Sequence, residues 1–310
     1  MEFLDNGIIT VIGAGGVGLG WAAYFAARGY RVKLYDPRED WDQQVARSLP
    51  RLISQVPATY EDQSLILNRI TMAHSLYDAV EYADLIQEAG PELVAFKQRL
   101  WKKIESLVDV DTLLVSSSSM VSVEDQAARM NAPERLMIGH AASPPHILPL
   151  VEVSAGAKTP PLYVDKLCAF YKRIGKEPVR LRREIPALVA NRLQMALLAE
   201  AVKLVEEGVV SVKELDTVVT HAVGVRWAAS GPFKSLHMDG GKGGIGLYLS
   251  RVGKKLAGCL GDPTLLADDV IRRLAEKTET AYPISDLTFY RDERDRRHSI
   301  IVTDRERFPD

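Results

Sequence analysis

Residues 7–18 read GIITVIGAGGVG, where a short run of mostly β-branched residues passes directly into a glycine-rich segment. Such a run is typical of a strand buried on both faces of a parallel sheet. The alanine- and aromatic-rich residues 19–28 suit a buried helix, and residues 31–35 form a second predicted strand. The chain therefore opens with a predicted strand–helix–strand unit, the building block of a doubly wound α/β sheet.

The glycines of this segment have the spacing Gly-x-Gly-x-x-Gly, from Gly13 through Gly15 to Gly18. Such spacing alone is common, but here it lies between a strand and a helix, and Asp36 closes the next strand about 20 residues further on. In a dinucleotide-binding turn the first glycine allows the tight turn, the second lets the backbone approach a pyrophosphate, and the third lets helix and strand pack closely. The helix's free amides and positive dipole end would then bind the pyrophosphate.

Asp36 favours NAD over NADP as the cofactor. Its carboxylate can accept hydrogen bonds from both adenosine ribose hydroxyls, and it repels a 2′-phosphate. Arg38 favours the opposite choice, although an exposed arginine after a strand is usually only solvated. We therefore predict an NAD site formed by the glycine-rich turn and Asp36.

Strand and helix patterns alternate up to about residue 182. Residues 41–67 read as a helical hairpin interrupted near Pro57, and residues 70–73, 83–86 and 112–115 as further strands. The charged residues 180–184 mark a boundary, after which the pattern is helical. The predicted fold class is α/β: a doubly wound, Rossmann-type parallel sheet in residues 1–184, followed by an all-helical C-terminal domain in residues 185–310.

Three polar residues are predicted at the carboxyl edge of this sheet, where ligands of such folds bind. Glu88 ends one strand, Lys97 lies on the helix that follows, and Ser116 begins a row of four serines. We expect all three near the cofactor. The alternatives are an ordinary surface charge for Glu88 or Lys97 and a helix-capping turn for the serines.

A proton acceptor is predicted between residues 136 and 152. There His140 ends one apolar run, Glu152 ends the next, and a proline-rich loop separates them. A strand, a loop and a returning strand can bring such a pair together, and a carboxylate on one ring nitrogen makes the other a positioned proton acceptor. Taken by itself, a histidine beside a strand is more often a satisfied core residue.

The second half of the chain reads as helical. Residues 188–206 are apolar on nearly every helical face, which predicts a helix buried between domains or between subunits. Gly208 is its predicted C-terminal cap, and residues 211–221 suggest a second, capped helix. Because residues 240–246 lack the strand and helix of a phosphate loop, we interpret their glycines as a turn. The apolar helix favours a homodimer.

Composition argues against several classes of protein. The 310 residues carry a net charge of −2 with both signs interspersed, which gives no reason to expect nucleic acid or a membrane as a partner. The two cysteines, Cys168 and Cys259, have no metal-ligand spacing and predict free thiols in a reducing compartment. No run has the length of a membrane span, and no signal-peptide pattern leads the chain. We expect a soluble, cytoplasmic protein without a metal site.

Taken together, these segments resemble the 3-hydroxyacyl-CoA dehydrogenase family, and within it the branch of lambda-crystallin and L-gulonate 3-dehydrogenase. The resemblance covers nearly the whole chain. The matching segments are residues 13–18 with Asp36, 83–97, 116–120, 139–152, 191–194, Glu200, 205–208, 215–216 and 231–232. Their order and spacing together are far more specific than any single motif.

The resemblance implies a catalytic set made of Ser118, His140, Glu152 and Asn191. In the family's reaction a hydride leaves a secondary alcohol for the nicotinamide of NAD, and the histidine takes the proton. Glu152 would fix the tautomer of the imidazole and stabilise its charged form. Ser118 and Asn191 would donate hydrogen bonds to the substrate oxygen.

Three positions depart from the family pattern. Ala141 stands where proline is usual, Ser143 where asparagine is usual, and Ala187 where a glycine precedes the helix that carries Asn191. None of them removes the acid–base pair, so they bear on the substrate more than on the reaction type.

The segment before residue 231 is nearer to the branch that acts on free hydroxy acids such as L-gulonate or carnitine. Arg226 in that segment would then hold the substrate carboxylate through its planar guanidinium. The alternative for Arg226, of equal weight, is a structural arginine that bridges helices or subunits.

The expected function is NAD-dependent oxidation of the secondary hydroxyl of a small 3-hydroxy acid. One alternative is a 3-hydroxyacyl thioester of coenzyme A or of a carrier protein as substrate. An alternative of another class is a crystallin-like protein that binds NAD(H) without catalysis.

Overall fold

The structure, a computed structural model, describes residues 7–259 and 266–307, with side chains up to residue 304. The chain divides into two compact units, the first reaching to Leu197 and the second starting at Leu198. This division falls inside one long helix, Leu188–Glu206. The predicted domain boundary after residue 184 stays a prediction.

The first unit is built on one eight-stranded sheet. Its strands are β1 (Ile8–Ile12), β2 (Arg31–Tyr35), β3 (Ile70–Met72), β4 (Leu85–Glu88), β5 (Leu113–Ser116), β6 (Leu136–Ala141), β7 (Leu150–Ala155) and β8 (Glu177–Arg180). They lie in the order β3–β2–β1–β4–β5–β6–β7–β8, and each neighbouring pair is parallel except β6 with β7. The strand order changes direction between β1 and β4, and ligands bind at such switch points.

Helices cover both faces of this sheet. They are α1 (Gly16–Ala27), α2 (Trp41–Ser54), α3 (Gln63–Leu67), α4 (Leu76–Val80), α5 (Val94–Glu105), α6 (Val123–Ala127) and α7 (Pro161–Arg173). Alternate residues of the strands enter two separate buried clusters, because successive side chains of a strand point to opposite faces. The predicted doubly wound sheet is confirmed, and α2 with α3 forms the predicted helical hairpin.

Helix α1 is buried almost all round, as its alanines and aromatics predict. The ring of Trp21 stacks on Phe25 at 4.8 Å and on Tyr171 of α7 at 5.7 Å. This packing fixes the helix that follows the glycine-rich turn, and so fixes the direction in which its first amides point.

The serine row after β5 is not the cap of α6. Ser122 performs that role, since its hydroxyl accepts a hydrogen bond from the Asp125 amide at 2.9 Å. The alternative of a capping turn is therefore wrong for Ser116–Ser119, whose hydroxyls are free for other contacts described below.

All the described elements after β8 are helical, as predicted. They are α8 (Leu188–Glu206), α9 (Val212–Val218), α10 (Gly224–Ala229), α11 (Pro232–Asp239), α12 (Gly244–Tyr248), α13 (Lys254–Cys259), α14 (Asp268–Ala281) and α15 (Leu287–Arg307). Gly208 ends α8 with a φ of 70°, and Ser211 with Glu214 forms a capping box at α9. Gly240, Gly241 and Gly243 lie in the turn between α11 and α12, whereas Gly244 and Gly246 lie in α12, so the predicted turn covers only the first part of residues 240–246.

Helix α8 is less buried than its composition predicts. Its side chains include Leu193, Met195 and Val202, which are 66%, 58% and 53% exposed. The predicted burial of this helix between domains or between subunits stays a prediction, and its first residue, Leu188, is buried against the sheet.

Candidate active site

At two of the three glycines of the glycine-rich turn, neighbouring protein atoms leave no room for a side chain. Gly13 has a φ of 104°, and a Cβ there would lie 2.6 Å from the carbonyl oxygen of Ala89. A Cβ at Gly18 would lie 1.7 Å from the carbonyl oxygen of Gly13. At Gly15, by contrast, a Cβ would meet no protein atom within 4 Å. The open side of Gly15 leaves room for a ligand against the backbone, which fits the predicted pyrophosphate.

Helix α1 begins at this turn with its amides available. Its N-cap is Gly15, no side chain caps it, and its first turn contains no acidic residue. The free N–H groups and the positive end of the helix dipole therefore favour an anion in front of Gly15. These residues fit the pyrophosphate of a dinucleotide.

Asp36 follows β2 and binds back to the same turn. One of its oxygens accepts a hydrogen bond from the Ala14 amide at 2.7 Å. The other accepts the amide and the Nε–H of Arg38, at 3.0 and 2.8 Å. Burial raises the pKa of Asp36, but the hydrogen bonds from Arg38 and Ala14 outweigh it and leave this pKa below its usual value. Arg38 is thus a direct partner of the carboxylate rather than only solvated.

Glu88, Lys97 and Ser116 form one buried network at the ends of β4 and β5. The Lys97 ammonium donates to both Glu88 oxygens at 2.8 Å, and the Ser116 hydroxyl donates to one of them at 2.7 Å. Neither charged side chain is more than 1% exposed, so the alternative of a surface charge is wrong for both. Their charges compensate one another, and direct contact with a cofactor stays a prediction.

Ser118 lies just beyond this network and is bound to Glu92. Its hydroxyl donates to one Glu92 oxygen at 2.6 Å, while the Ser119 amide donates to the other at 2.8 Å. The Ser118 oxygen also accepts the Val121 amide at 2.9 Å. These contacts make Glu92 a candidate site residue that was not predicted from the sequence, although its position after Pro91 at the carboxyl edge is a signal for it.

His140 and Glu152 face each other across the antiparallel pair of β6 and β7. They are directly opposed in the strand register, so their side chains leave the same face of the sheet. His140 Nδ1 lies 3.5 Å from one Glu152 oxygen, and neither atom has another hydrogen-bond partner among the described residues. The predicted strand, loop and returning strand therefore bring this pair together.

The second oxygen of Glu152 binds the start of α8. It accepts the amides of Val189 and Ala190 at 2.7 and 3.2 Å. Burial raises the pKa of Glu152, but the contacts with His140 and these two amides more than offset it, so its pKa lies below the usual value. The carboxylate is therefore held ionised between the imidazole and a helix N-terminus.

Asn191 lies in the first turn of α8, next to the amides that bind Glu152. The chain reaches this helix through Ala187 and Leu188, with φ values of 65° and 55°. This left-handed conformation is strained for residues other than glycine, which explains why a glycine suits the position of Ala187.

Arg226 is paired within the second unit. Its guanidinium forms an ion pair with Asp239, one residue on α10 and the other on α11. This contact supports the structural alternative for Arg226, and its role in binding a carboxylate stays a prediction.

The described residues give no support for a metal site or a membrane span. Within residues 7–259 and 266–307, no group of three or more histidine, cysteine or acidic residues is arranged to hold a metal ion. Over the same residues, no helix combines the length and apolar character needed to cross a membrane.

A Rossmann-type sheet with an open glycine turn, an acidic residue after β2 and a histidine–carboxylate pair at the carboxyl edge is typical of a dinucleotide-dependent dehydrogenase. The chain belongs to the 3-hydroxyacyl-CoA dehydrogenase family. Residues 8–185 match that family's NAD binding domain, and residues 188–281 match its C-terminal domain. The predicted family and cofactor are confirmed: the protein is an NAD-dependent dehydrogenase.

Similar proteins carry several names. The chain is 36% identical over 252 residues to the L-carnitine dehydrogenase of Streptomyces griseus, covering 80% of this chain and 74% of that one. It is 35% identical over 243 residues to the lambda-crystallin of Oryctolagus cuniculus, covering 75% of each. A solved 3-hydroxyacyl-CoA dehydrogenase from Archaeoglobus fulgidus superposes with a TM-score of 0.69 at 27% identity, covering 88% of this chain and 87% of that one.

Proposed function

We propose that the protein oxidises the secondary hydroxyl of a small 3-hydroxy acid, L-gulonate- or carnitine-like, with NAD as the hydride acceptor. The observation that carries the proposal is the His140–Glu152 pair, whose carboxylate is held ionised by the amides at the start of α8. A histidine with one ring nitrogen committed to a carboxylate presents the other as a proton acceptor.

Bound NAD would supply the acceptor for the hydride of the carbinol carbon, and the protein's own residues would handle the proton. His140 carries its proton on Nδ1, toward Glu152, and its Nε2 lone pair accepts the proton of the substrate hydroxyl. The carbon–hydrogen and oxygen–hydrogen bonds break as the carbonyl forms, and the imidazole becomes a cation. Glu152 stabilises that cation because its negative charge lies beside Nδ1.

Ser118 and Asn191 are the proposed hydrogen-bond donors to the substrate oxygen. The Ser118 hydroxyl donates to Glu92, so it must turn away from this carboxylate before it donates to a substrate. Glu92 thereby holds the hydroxyl at the carboxyl edge of β5.

The names of similar proteins favour a small substrate. Several of them are L-carnitine dehydrogenases, and carnitine is a free 3-hydroxy acid rather than a thioester.

The alternative substrate is a 3-hydroxyacyl thioester, which the named activity of the Archaeoglobus fulgidus protein supports. Parallel assays of NADH formation with L-gulonate, carnitine, 3-hydroxybutyrate and 3-hydroxybutyryl-CoA separate the two classes. Turnover confined to the thioester would replace the free acid as the substrate. Stoichiometric NADH binding without turnover on any of the four would favour the non-catalytic, crystallin-like alternative.

His140→Ala tests the proposed base. We expect kcat/KM to fall about 10²–10⁴-fold, the usual contribution of general base catalysis, while the Kd for NADH stays unchanged. His237→Ala is a matched control, because His237, like His140, lies 3.5 Å from a glutamate, here Glu279, and is not part of the proposed site. Retained turnover in His140→Ala would remove His140 as the base.

We further propose that the protein is a cytoplasmic homodimer. The exposed apolar side chains of α8 support the dimer, since a large exposed apolar surface usually marks an interface. The test of this assembly is given with the whole molecule in the Discussion.

A further inference from the structure

Gln87, in the centre of the sheet, has three side-chain hydrogen bonds, two of them to residues that directly precede proposed site residues. Its amide nitrogen donates to the Ser117 hydroxyl at 2.8 Å and to the Gly139 carbonyl oxygen at 3.2 Å. Its amide oxygen accepts the hydroxyl of Tyr171 at 2.7 Å. Gln87 and Tyr171 are both fully buried, so water does not compete for these bonds.

Gly139 is the residue that permits this arrangement. A Cβ at Gly139 would lie 2.3 Å from the Tyr171 hydroxyl and 2.7 Å from a methyl carbon of Val115. Only a glycine lets the tyrosine hydroxyl of α7 pass under β6 to reach Gln87. The three side chains and this glycine therefore form one unit, the Gln87 brace, made of Gln87, Tyr171, Ser117 and Gly139.

The brace joins the two places from which the proposed chemistry comes. Ser117 directly precedes Ser118, and Gly139 directly precedes His140. The side-chain amide of Gln87 on β4 thus links Ser117, which follows β5, to Gly139 of β6 and fixes the distance between them. Backbone bonds such as Ser117 N–H to Glu88 O align the strands, but the amide adds a lateral tie at the site itself.

We infer that Gln87 and Tyr171 are positioning residues that set His140 against Ser118. The inference rests on the proposed function for its kinetic consequence, though not for its geometry. Loss of the brace moves the base relative to the oxygen donor, while the hydrogen bond from Ser116 to Glu88 does not involve the brace side chains. A displacement of about 1 Å in a reacting group can cost about 10²-fold in rate, so the effect falls on kcat.

Tyr171→Phe is the main test, because it removes one hydroxyl and keeps the ring that packs on Trp21. Gln87→Leu removes the whole brace. Thr112→Val is the matched control: the Thr112 hydroxyl is also buried on the sheet, donates to the Ala83 carbonyl, and lies at the start of β5 rather than at its end. We expect both brace variants to lower kcat about 10- to 100-fold with the Kd for NADH unchanged, and the control to lower only Tm.

The geometry is measured separately from activity by NMR of protein with ¹⁵N-labelled histidine, in which a His140→Asn sample identifies the His140 signals. Both brace variants should shift the His140 ring-nitrogen resonances, and Thr112→Val should not. In a double variant, Gln87→Leu with Tyr171→Phe, we expect no greater loss than Gln87→Leu alone, because the two residues act through one network.

Unchanged His140 resonances in both brace variants would overturn the inference, as would an equal shift in Thr112→Val. An inactive wild-type protein would instead contradict the proposed function and leave the NMR result to decide on the brace. If Gln87→Leu does not fold, Tyr171→Phe still decides, since it deletes a single oxygen atom.

Discussion

At the level of single residues, Glu152 is central because its two oxygens serve different partners. One faces the His140 imidazole at 3.5 Å, and the other accepts two amides of α8. The same side chain therefore links the proposed base to the helix that carries Asn191. A neutral replacement of Glu152 that keeps the shape of the side chain tests the role of its charge alone.

Glu152→Gln should keep the fold and lose most of the rate. The amide oxygen can still accept the amides of Val189 and Ala190, which leaves the NH₂ group facing His140 Nδ1. The NH₂ group can only donate a hydrogen bond, so it favours the imidazole tautomer with its lone pair on Nδ1 and its proton on Nε2. In this tautomer Nε2 has no lone pair to accept the proton of the substrate hydroxyl. We expect kcat to fall about 10²–10⁴-fold.

Glu105→Gln is the control for this variant, since Glu105 also accepts two backbone amides, those of Asn131 and Ala132, but away from the site. It should change Tm and leave kcat unaltered. Full activity in Glu152→Gln, measured by NADH formation, would contradict the role of the carboxylate.

At the level of elements, the antiparallel step from β6 to β7 and the start of α8 build the site together. The segment that leads into α8 contains two features that are energetically unfavourable by themselves. Ala187 and Leu188 have left-handed φ values, and Glu184 is a half-buried carboxyl that hydrogen-bonds a second carboxyl, Glu124. Each feature gives a prediction about stability.

Ala187→Gly should stabilise the protein. A left-handed conformation costs an alanine about 1–2 kcal/mol, while the extra chain entropy of glycine costs about 0.5–1 kcal/mol. We expect a net gain of about 1 kcal/mol in the free energy of unfolding, measured by urea denaturation. Ala196→Gly, in the exposed middle of the same helix, should lose about 1 kcal/mol. A loss in both variants would show that Ala187 is not strained.

Glu184→Gln should change stability in a pH-dependent way. Burial raises the pKa of Glu184, and hydrogen bonding to Glu124 raises it further, to about 7. The folded state holds this proton more tightly than the unfolded chain does. The contribution of Glu184 to the free energy of unfolding is therefore fully present below pH 4.5 and is lost as the pH rises through about 7. Glutamine stays neutral at every pH, so it avoids that loss.

The Tm of Glu184→Gln relative to wild type should therefore be higher at pH 8 than at pH 5. The exposed Glu39 provides the control, since Glu39→Gln should show the same difference from wild type at both pH values. If the Tm difference between Glu184→Gln and wild type is the same at both pH values, Glu184 and Glu124 do not share a proton.

At the level of the whole molecule, the exposed apolar side chains of α8 support the proposed homodimer. Met195, Leu198 and Val202 follow one another at helical spacing and form what we name the α8 stripe; they are 58%, 48% and 53% exposed. A row of large apolar side chains in water is unfavourable, and a second copy of the chain can bury it by a twofold contact.

Leu198→Glu, in the middle of the α8 stripe, should convert a dimer into a monomer, because a buried unpaired charge opposes association. Light scattering after gel filtration measures the mass of each species. Val110→Glu is the control, since Val110 is exposed on the first unit and lies outside the stripe. A wild-type monomer would contradict the proposed assembly.

Much of this protein is predictable from short segments of sequence. The glycine-rich turn with its flanking strand and helix, the Asp36 position, the bounds of α8 and the caps at Gly208 and Ser211 all depend on neighbouring residues. Local sequence decides such features because backbone propensity, capping and apolar spacing act over a few residues. The family and NAD follow from these segments because their order is specific.

Only the tertiary structure decided which side chains meet across the sheet. Arg38 binds Asp36 over a short distance along the chain. Other contacts join segments far apart in sequence: Glu92 with Ser118, Glu152 with α8, and Gln87 with Gly139. The exposure of α8 likewise depends on what the rest of the chain leaves uncovered. Sequence spacing carries no information on these contacts, because strand order and register set them, and a shift of one residue in register would turn every side chain to the other face.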